Sequence, residues 1–222
     1  MNGLLAAVVT RVLGLPRFVG RAALMAALFH AVFVGGVTVI KSGTNALFLS
    51  RAEPSLLPLL YAVVAVVVSV ATAVLARMLG RRPLRQLFGE VIVLNAALLI
   101  VGTIGVLLEL PQAPAVLYVI GEATATTGSV LFWSRLMDGF TSRDQKRVVG
   151  VVGAGGMVGA AVGGLLVRVF VDVTGVAAPV MGAAVLWVLA LPLLRVLRTR
   201  SAITDVDAAL STVPGPAPNR DS

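Results

Sequence analysis

The sequence predicts an all-α membrane protein with six transmembrane helices, and three observations carry that prediction. Only 13% of the 222 residues are Asp, Glu, Lys or Arg, about half the share of a soluble domain. Too little polar surface remains to cover a water-soluble globule, and the mean hydropathy of +0.99 agrees. Six apolar stretches approach or reach the ~20 residues that a spanning helix needs. Lys and Arg gather in alternate connections, as they do when short loops set the orientation of a membrane chain.

The stretches run roughly Ala22–Ile40, Leu56–Ala76, Val91–Leu108, Ala113–Trp133, Val148–Phe170 and Gly175–Leu194. The first can continue past Lys41 to Leu49, because Ala46-Leu47-Phe48-Leu49 is apolar again. Helices are expected throughout, since an open sheet edge is not tolerated in lipid. With the N-terminus inside, 15 of the 18 basic residues fall on the inner side and only Lys41, Arg51 and Arg168 on the outer. An even number of spans with both termini cytoplasmic satisfies this bias.

The flanks differ from the six-helix domain at 21–198. Residues 1–20 lack a signal-peptide pattern, because Arg11 interrupts the short run Leu4–Val9. Leu4, Leu5, Val8, Val9, Val12 and Leu13 recur at helical spacing, which predicts an interfacial helix on the inner leaflet. Residues 199–222, with Val213-Pro214-Gly215-Pro216-Ala217-Pro218, read as a disordered cytoplasmic tail.

Polar side chains inside the stretches carry the functional signal. Glu122 lies near the middle of the fourth, and an ionisable group at bilayer depth is costly enough to mark a cavity or a partner cation. Tyr118, Glu122, Thr126, Ser129 and Trp133 follow at steps of four, four, three and four. They form one polar stripe that must face protein or water. The alternative for Glu122 is a buried, protonated acid bonded between helices. On the first stretch Thr38, Lys41 and Asn45 share a face. Lys41 sits about 30 Å along a helix from Arg21, so it either snorkels to the outer surface or meets an anionic solute or Glu122. His30 reads as a packing histidine, Asn95 as interhelical glue and Trp133 as part of an aromatic belt.

Gly155, Gly159 and Gly163 are spaced by four, which predicts close helix packing. No Gly-Lys-Ser/Thr ending follows, so this is no phosphate loop. Arg77, Arg81, Arg82 and Arg85 follow the second stretch; Arg135, Asp138, Arg143, Asp144, Lys146 and Arg147 lie between the fourth and fifth. Orientation explains most of this charge. Arg81, Asp138, Lys146 and Arg147 are also candidates for gating ion pairs that form in one conformation.

The chain has no cysteine, which excludes disulfides and thiolate chemistry. Neither a His-rich metal cluster nor a Gly-x-Ser-x-Gly elbow nor paired mid-span aspartates are present. No enzyme, metal or cofactor is expected. The charge of +8 serves orientation rather than nucleic-acid binding.

Six spans with a basic loop after the second resemble half of a major facilitator superfamily transporter, in which each half is two inverted three-helix repeats. Leu117-Tyr118-Val119-Ile120-Gly121-Glu122, then Leu131-Phe132-Trp133, Gln145-Lys146-Arg147 and the glycine-rich helix, between Val116 and Gly164, narrow this. They are similar to the ATP/ADP translocases of plastids and intracellular bacteria. The resemblance implies a functional lysine in the first helix and a functional glutamate in the fourth, matching Lys41 and Glu122, and location in the bacterial cytoplasmic membrane. The expected solute-binding set is Lys41, Glu122, Tyr118, Thr126 and Asn45. The expected partners are the bilayer, a small anionic solute such as a nucleotide, and a second copy or a missing second half. The competing expectation is a membrane anchor or sensory module derived from a transporter half.

Overall fold

A computed structural model describes residues 17–51, 54–140, 142–175 and 177–191. It is all-helical. Six α-helices follow in chain order: α1 Arg17–Arg51, α2 Leu57–Leu79, α3 Leu84–Leu107, α4 Ala113–Asp138, α5 Ser142–Thr174 and α6 Ala177–Ala190. The first five are long and apolar enough to cross a membrane. The sixth is a shorter apolar helix among the described residues, and positions 192–194 of the expected sixth span lie outside them. So does most of the expected interfacial helix; residues 17–20 belong to α1. The expected tail at 199–222 is outside as well.

Helix ends follow local chemistry. Pro58 and Pro114 occupy the first turns of α2 and α4, where the missing N–H costs nothing. Pro83 holds the extended backbone before α3. The apolar windows fixed each helix but not its length. α3 begins before Val91 because Arg85, Gln86 and Glu90 continue its first turns outside the apolar band. α4 likewise runs on from Trp133 to Asp138.

The α3 terminus closes with the N–H of Glu109 on Val106 O (3.1 Å) and that of Leu110 on Gly105 O (3.1 Å). This two-bond closure needs a left-handed residue, usually glycine. Here Glu109 takes it, at φ 58°.

The tightest contact is between α1 and α5. An added Cβ on Gly159 would stand 2.6 Å from the carbonyl carbon of Ala31, and one on Gly163 2.5 Å from Gly35 O. Gly155 is equally close to the Ala27 backbone. These three glycines, expected to pack closely, lie against a face of α1 that repeats Ala27, Ala31 and Gly35 at the same spacing. Lipid gives apolar helices little reason to associate, so close backbone approach supplies the attraction.

Behind this contact lies an aromatic core. Phe132 stacks on His30 (4.4 Å between centroids), Phe29 (5.7 Å) and Phe33 (5.9 Å), and Phe33 stacks on Trp187 (4.9 Å). Trp187 Nε1 donates to Phe33 O (3.3 Å) above Gly36, which leaves room for the indole.

α1 packs on α4, α5 and α6, while α4 packs on α1, α2 and α3. α3 also packs on α6; α2–α3 and α5–α6 are minor contacts. Exchanging each helix with the one three places later leaves this neighbour list unchanged.

Two substitutions check these features by thermal unfolding in detergent. Gly159→Leu is expected to cost about 3 kcal/mol or to prevent folding, because backbone opposes the new side chain; Gly182→Ala, which faces open space, is tolerated. Glu109→Gly is expected to stabilise by about 1 kcal/mol through relief of the left-handed strain.

Candidate functional site

α1 and α4 meet along the polar faces that the sequence marks. Gly121 makes the approach possible: a Cβ there would lie 3.1 Å from Thr44 Oγ1 and 3.3 Å from Ile40 Cγ2. One residue on, Lys41 Nζ and Glu122 Oε2 form an ion pair at 3.0 Å. Snorkelling away from the protein is thus not the role of Lys41. The two residues share one level. Lys41 lies ten residues from the Arg51 end of α1 and Glu122 nine from the Ala113 end of α4, each about 14–15 Å at 1.5 Å per residue. The sequence windows set Glu122 deeper because they ended α4 at Trp133.

The pair is not sealed. The Lys41 side chain is 42% exposed and that of Glu122 18%. Hydrocarbon cannot solvate them, so this face opens onto water or onto more protein. Neutralisation by Glu122 lowers the cost of holding the ammonium at this depth. The ammonium has three donor hydrogens, and one bond to Glu122 leaves others for a solute anion.

Other expected site residues gather around the pair. Tyr118, one turn before Glu122, is buried between Phe48 (5.6 Å) and the edge of Tyr61 (6.4 Å). Asn45 follows Lys41 by one turn, and its Oδ1 is buried with no hydrogen-bond partner among the described residues. Thr126 donates to Glu122 O (3.0 Å) and Ser129 to Ala125 O (2.7 Å). These hydroxyls satisfy their protons within α4, so the lower stripe is less demanding of water than its composition implies. Thr38 does the same with Val34 O (2.9 Å).

Three neighbouring polar groups are structural. His30 Nδ1 donates to Val152 O (2.8 Å), and Gly156 leaves space for the ring. This is the packing histidine expected. Asn95 Nδ2 donates to Thr127 Oγ1 (3.2 Å), joining α3 to α4. Trp133, expected in an aromatic belt, stands edge-on to His30 at 5.2 Å and to Phe132 at 5.5 Å. Aromatic packing is available to it there, because α4 continues beyond it.

The candidate gating residues lie together at the end of the bundle where α2 and α4 finish and α3 and α5 begin, called here the basic end. Asp138 pairs with Arg135 on its own helix (3.3 Å), while Arg81 and Lys146 are exposed. The sequence reading missed Glu90, which accepts from Arg82 and Gln86 (2.8 Å each) and ties the α2–α3 turn to α3. Gln145, quoted from the sequence only within the Gln145-Lys146-Arg147 run, donates from Nε2 to Met137 O (2.7 Å) and Phe140 O (3.0 Å) across the next turn. Tyr61, three residues after Pro58 on α2, was given no role of its own from the sequence, and its ring stands edge-on to Tyr118. Among the described residues no cluster suited to a metal ion occurs.

A double-mutant cycle tests the pair. Lys41→Ala and Glu122→Gln are each expected to lower stability, and the double variant to lose less than their sum, with a coupling of about 1 kcal/mol or more. Additive losses in thermal unfolding would show that the ion pair contributes nothing.

Comparison with known proteins finds no matching family model, no matching curated protein and no matching solved structure, so the functional reading rests on the residues and their geometry.

Proposed function

We propose that this chain is a secondary transporter of the facilitator type, or one half of one, that moves a small anionic solute such as a nucleotide. The observation that carries the reading is the partly exposed Lys41–Glu122 pair between α1 and α4, two helices long and apolar enough to cross a membrane. An anion entering from the open face competes with Glu122 for the Lys41 ammonium. Glu122 is released as the solute binds and reclaims the lysine as it leaves, so the site is never left with an unpaired cation. Asn45 and Tyr118 flank the pair and supply further polar contacts. Coupling of this exchange to movement of the helices is the transport step.

The neighbour pattern supports a facilitator-type half. Helices three places apart exchange roles, and three helices reverse the direction of the chain. Two three-helix units of inverted topology have that relation. On this reading the basic end faces the cytoplasm of a bacterial inner membrane. The α1–α5 glycine contact then moves as one piece, and the charged groups at the basic end close the path by pairs that differ between states.

Uptake of labelled ATP and ADP into liposomes that hold the purified chain tests the proposal. Uptake is expected, with at least about a tenfold loss in Glu122→Gln while the folded protein is retained. Absence of uptake for nucleotides and for simple phosphate esters would remove the transporter reading and leave a membrane anchor. Full activity in Glu122→Gln would make the carboxylate structural.

A further inference from the structure

We propose that the chain binds one phospholipid with a phosphoethanolamine headgroup, in the leaflet opposite the basic end. The headgroup sits in a polar pocket between the end of α1, the end of α3 and the start of α6. An acyl chain runs along the groove between α5 and α6. The site is separate from the Lys41–Glu122 pair and does not depend on the transporter reading.

The pocket is a cavity of about 390 Å³, within the size range of small-ligand sites. Ser50 and Arg51 line it from α1, Glu109 from the turn after α3 and Ala177 from α6. Among the described residues no ion pair or hydrogen bond engages the side chain of Arg51 or Glu109. Two opposite charges that share a pocket without meeting suit a ligand that carries both. Arg51 presents a planar set of donors that matches a phosphate. Glu109 and Ser50 are acceptors for an ammonium. Ser50 Oγ gives its own proton to Leu47 O (3.0 Å), which leaves its lone pairs to accept.

The backbone at Glu109 points the same way. Its φ of 58° is a conformation that glycine adopts at less cost, and residues held there cluster at ligand sites. The bonds that close α3 require the conformation but not the carboxylate. A ligand ammonium requires the carboxylate. Phosphocholine has no N–H to donate to Glu109 and Ser50, and an anionic headgroup such as phosphoglycerol leaves Glu109 opposed. Phosphoethanolamine satisfies both walls.

The groove accounts for the rest of the lipid. α5 and α6 both rest on α1 but touch each other little. Between them lies a groove of about 460 Å³ whose lining residues are all apolar. Gly35, Gly36, Gly159 and Gly163 add no side chains to fill it. On α5 it extends from Val158 to Phe170, about 18 Å along the helix and close to half of the ~30 Å hydrocarbon core. On α6 its lining begins at Ala178, directly after the Ala177 of the pocket. The polar site is thus at the end of the bundle, and the apolar one runs from beside it toward the middle. A lipid uses both, whereas a soluble zwitterion uses only the first.

Native mass spectrometry of the detergent-purified chain tests the inference, by titration with phosphatidylethanolamine, phosphatidylcholine and phosphatidylglycerol of matched acyl chains. One phosphatidylethanolamine is expected to bind about tenfold more tightly than either of the others, the scale of one hydrogen bond to a charged group. Glu109→Gln is expected to remove its advantage over phosphatidylcholine, and Arg51→Gln to weaken all three lipids. Arg168→Gln, at an exposed cation elsewhere on α5, is expected to change neither result. Gly182→Leu fills the groove where an added Cβ meets nothing within 4 Å, and is expected to weaken the lipid but not free phosphoethanolamine used as a competitor. Equal binding of the three headgroups by the unaltered chain would overturn the inference, as would a preference that survives Glu109→Gln. Free phosphoethanolamine that binds as tightly as the lipid, with no effect of Gly182→Leu, would also overturn it and make the pocket a soluble zwitterion's site.

Discussion

The glycine contact between α1 and α5 is the constraint on which the rest of the structure depends. Water does not drive apolar helices together in a bilayer, so a bundle needs places where backbones touch. Gly155, Gly159 and Gly163 against Ala27, Ala31 and Gly35 form the closest of these. The contact fixes α1 along much of its length. α1 in turn presents His30 and Phe33 to the aromatic core and Lys41 to Glu122. Gly36, Gly121 and Gly128 repeat the device on a smaller scale, receiving Trp187, Thr44 and Phe33 in turn. Bulk on one helix is met by its absence on the next.

Polar groups in the bundle fall into two kinds. One kind is closed: His30 on Val152, Asn95 on Thr127, and the hydroxyls of Thr103, Thr126, Thr127 and Ser129 on carbonyls of their own helices. These bonds lie among packed helices and ask nothing of the surroundings. The other kind is open. Lys41 and Glu122 satisfy each other but remain accessible, whereas Asn45 Oδ1 and Thr124 Oγ1 are buried with no hydrogen-bond partner among the described residues. Chemistry belongs to the open kind, because a solute gains only from donors and acceptors that are free to exchange.

Much of this was legible in the sequence, and the reasons differ by feature. Spans were legible because apolar length is a direct signal. Their boundaries were not, because α3 and α4 extend through polar turns where hydropathy falls but the backbone bonds continue. The glycine ridge was legible from spacing alone. Glu122 and Lys41 stood out through the cost of their charge. Their meeting could not be read from spacing, since it depends on the level each reaches and on Gly121 letting α1 approach. The aromatic core escaped notice because Phe29, Phe33, Phe88, Phe132 and Trp187 look like ordinary apolar residues until the helices cross. Asp138 has a partner, Arg135, on its own helix.

The exchange of neighbours between helices three places apart has a consequence for synthesis. α1 rests on α4, α5 and α6, all of which the ribosome makes later. The first three helices therefore enter the bilayer with little to pack against. Lys41 waits for Glu122, which is 81 positions downstream, and at 5–20 residues per second that interval is about 4–16 s. During it the ammonium sits in an unfinished bundle, held by its flexible stem near the surface. The snorkelling rejected for the finished protein is thus the state in which Lys41 begins.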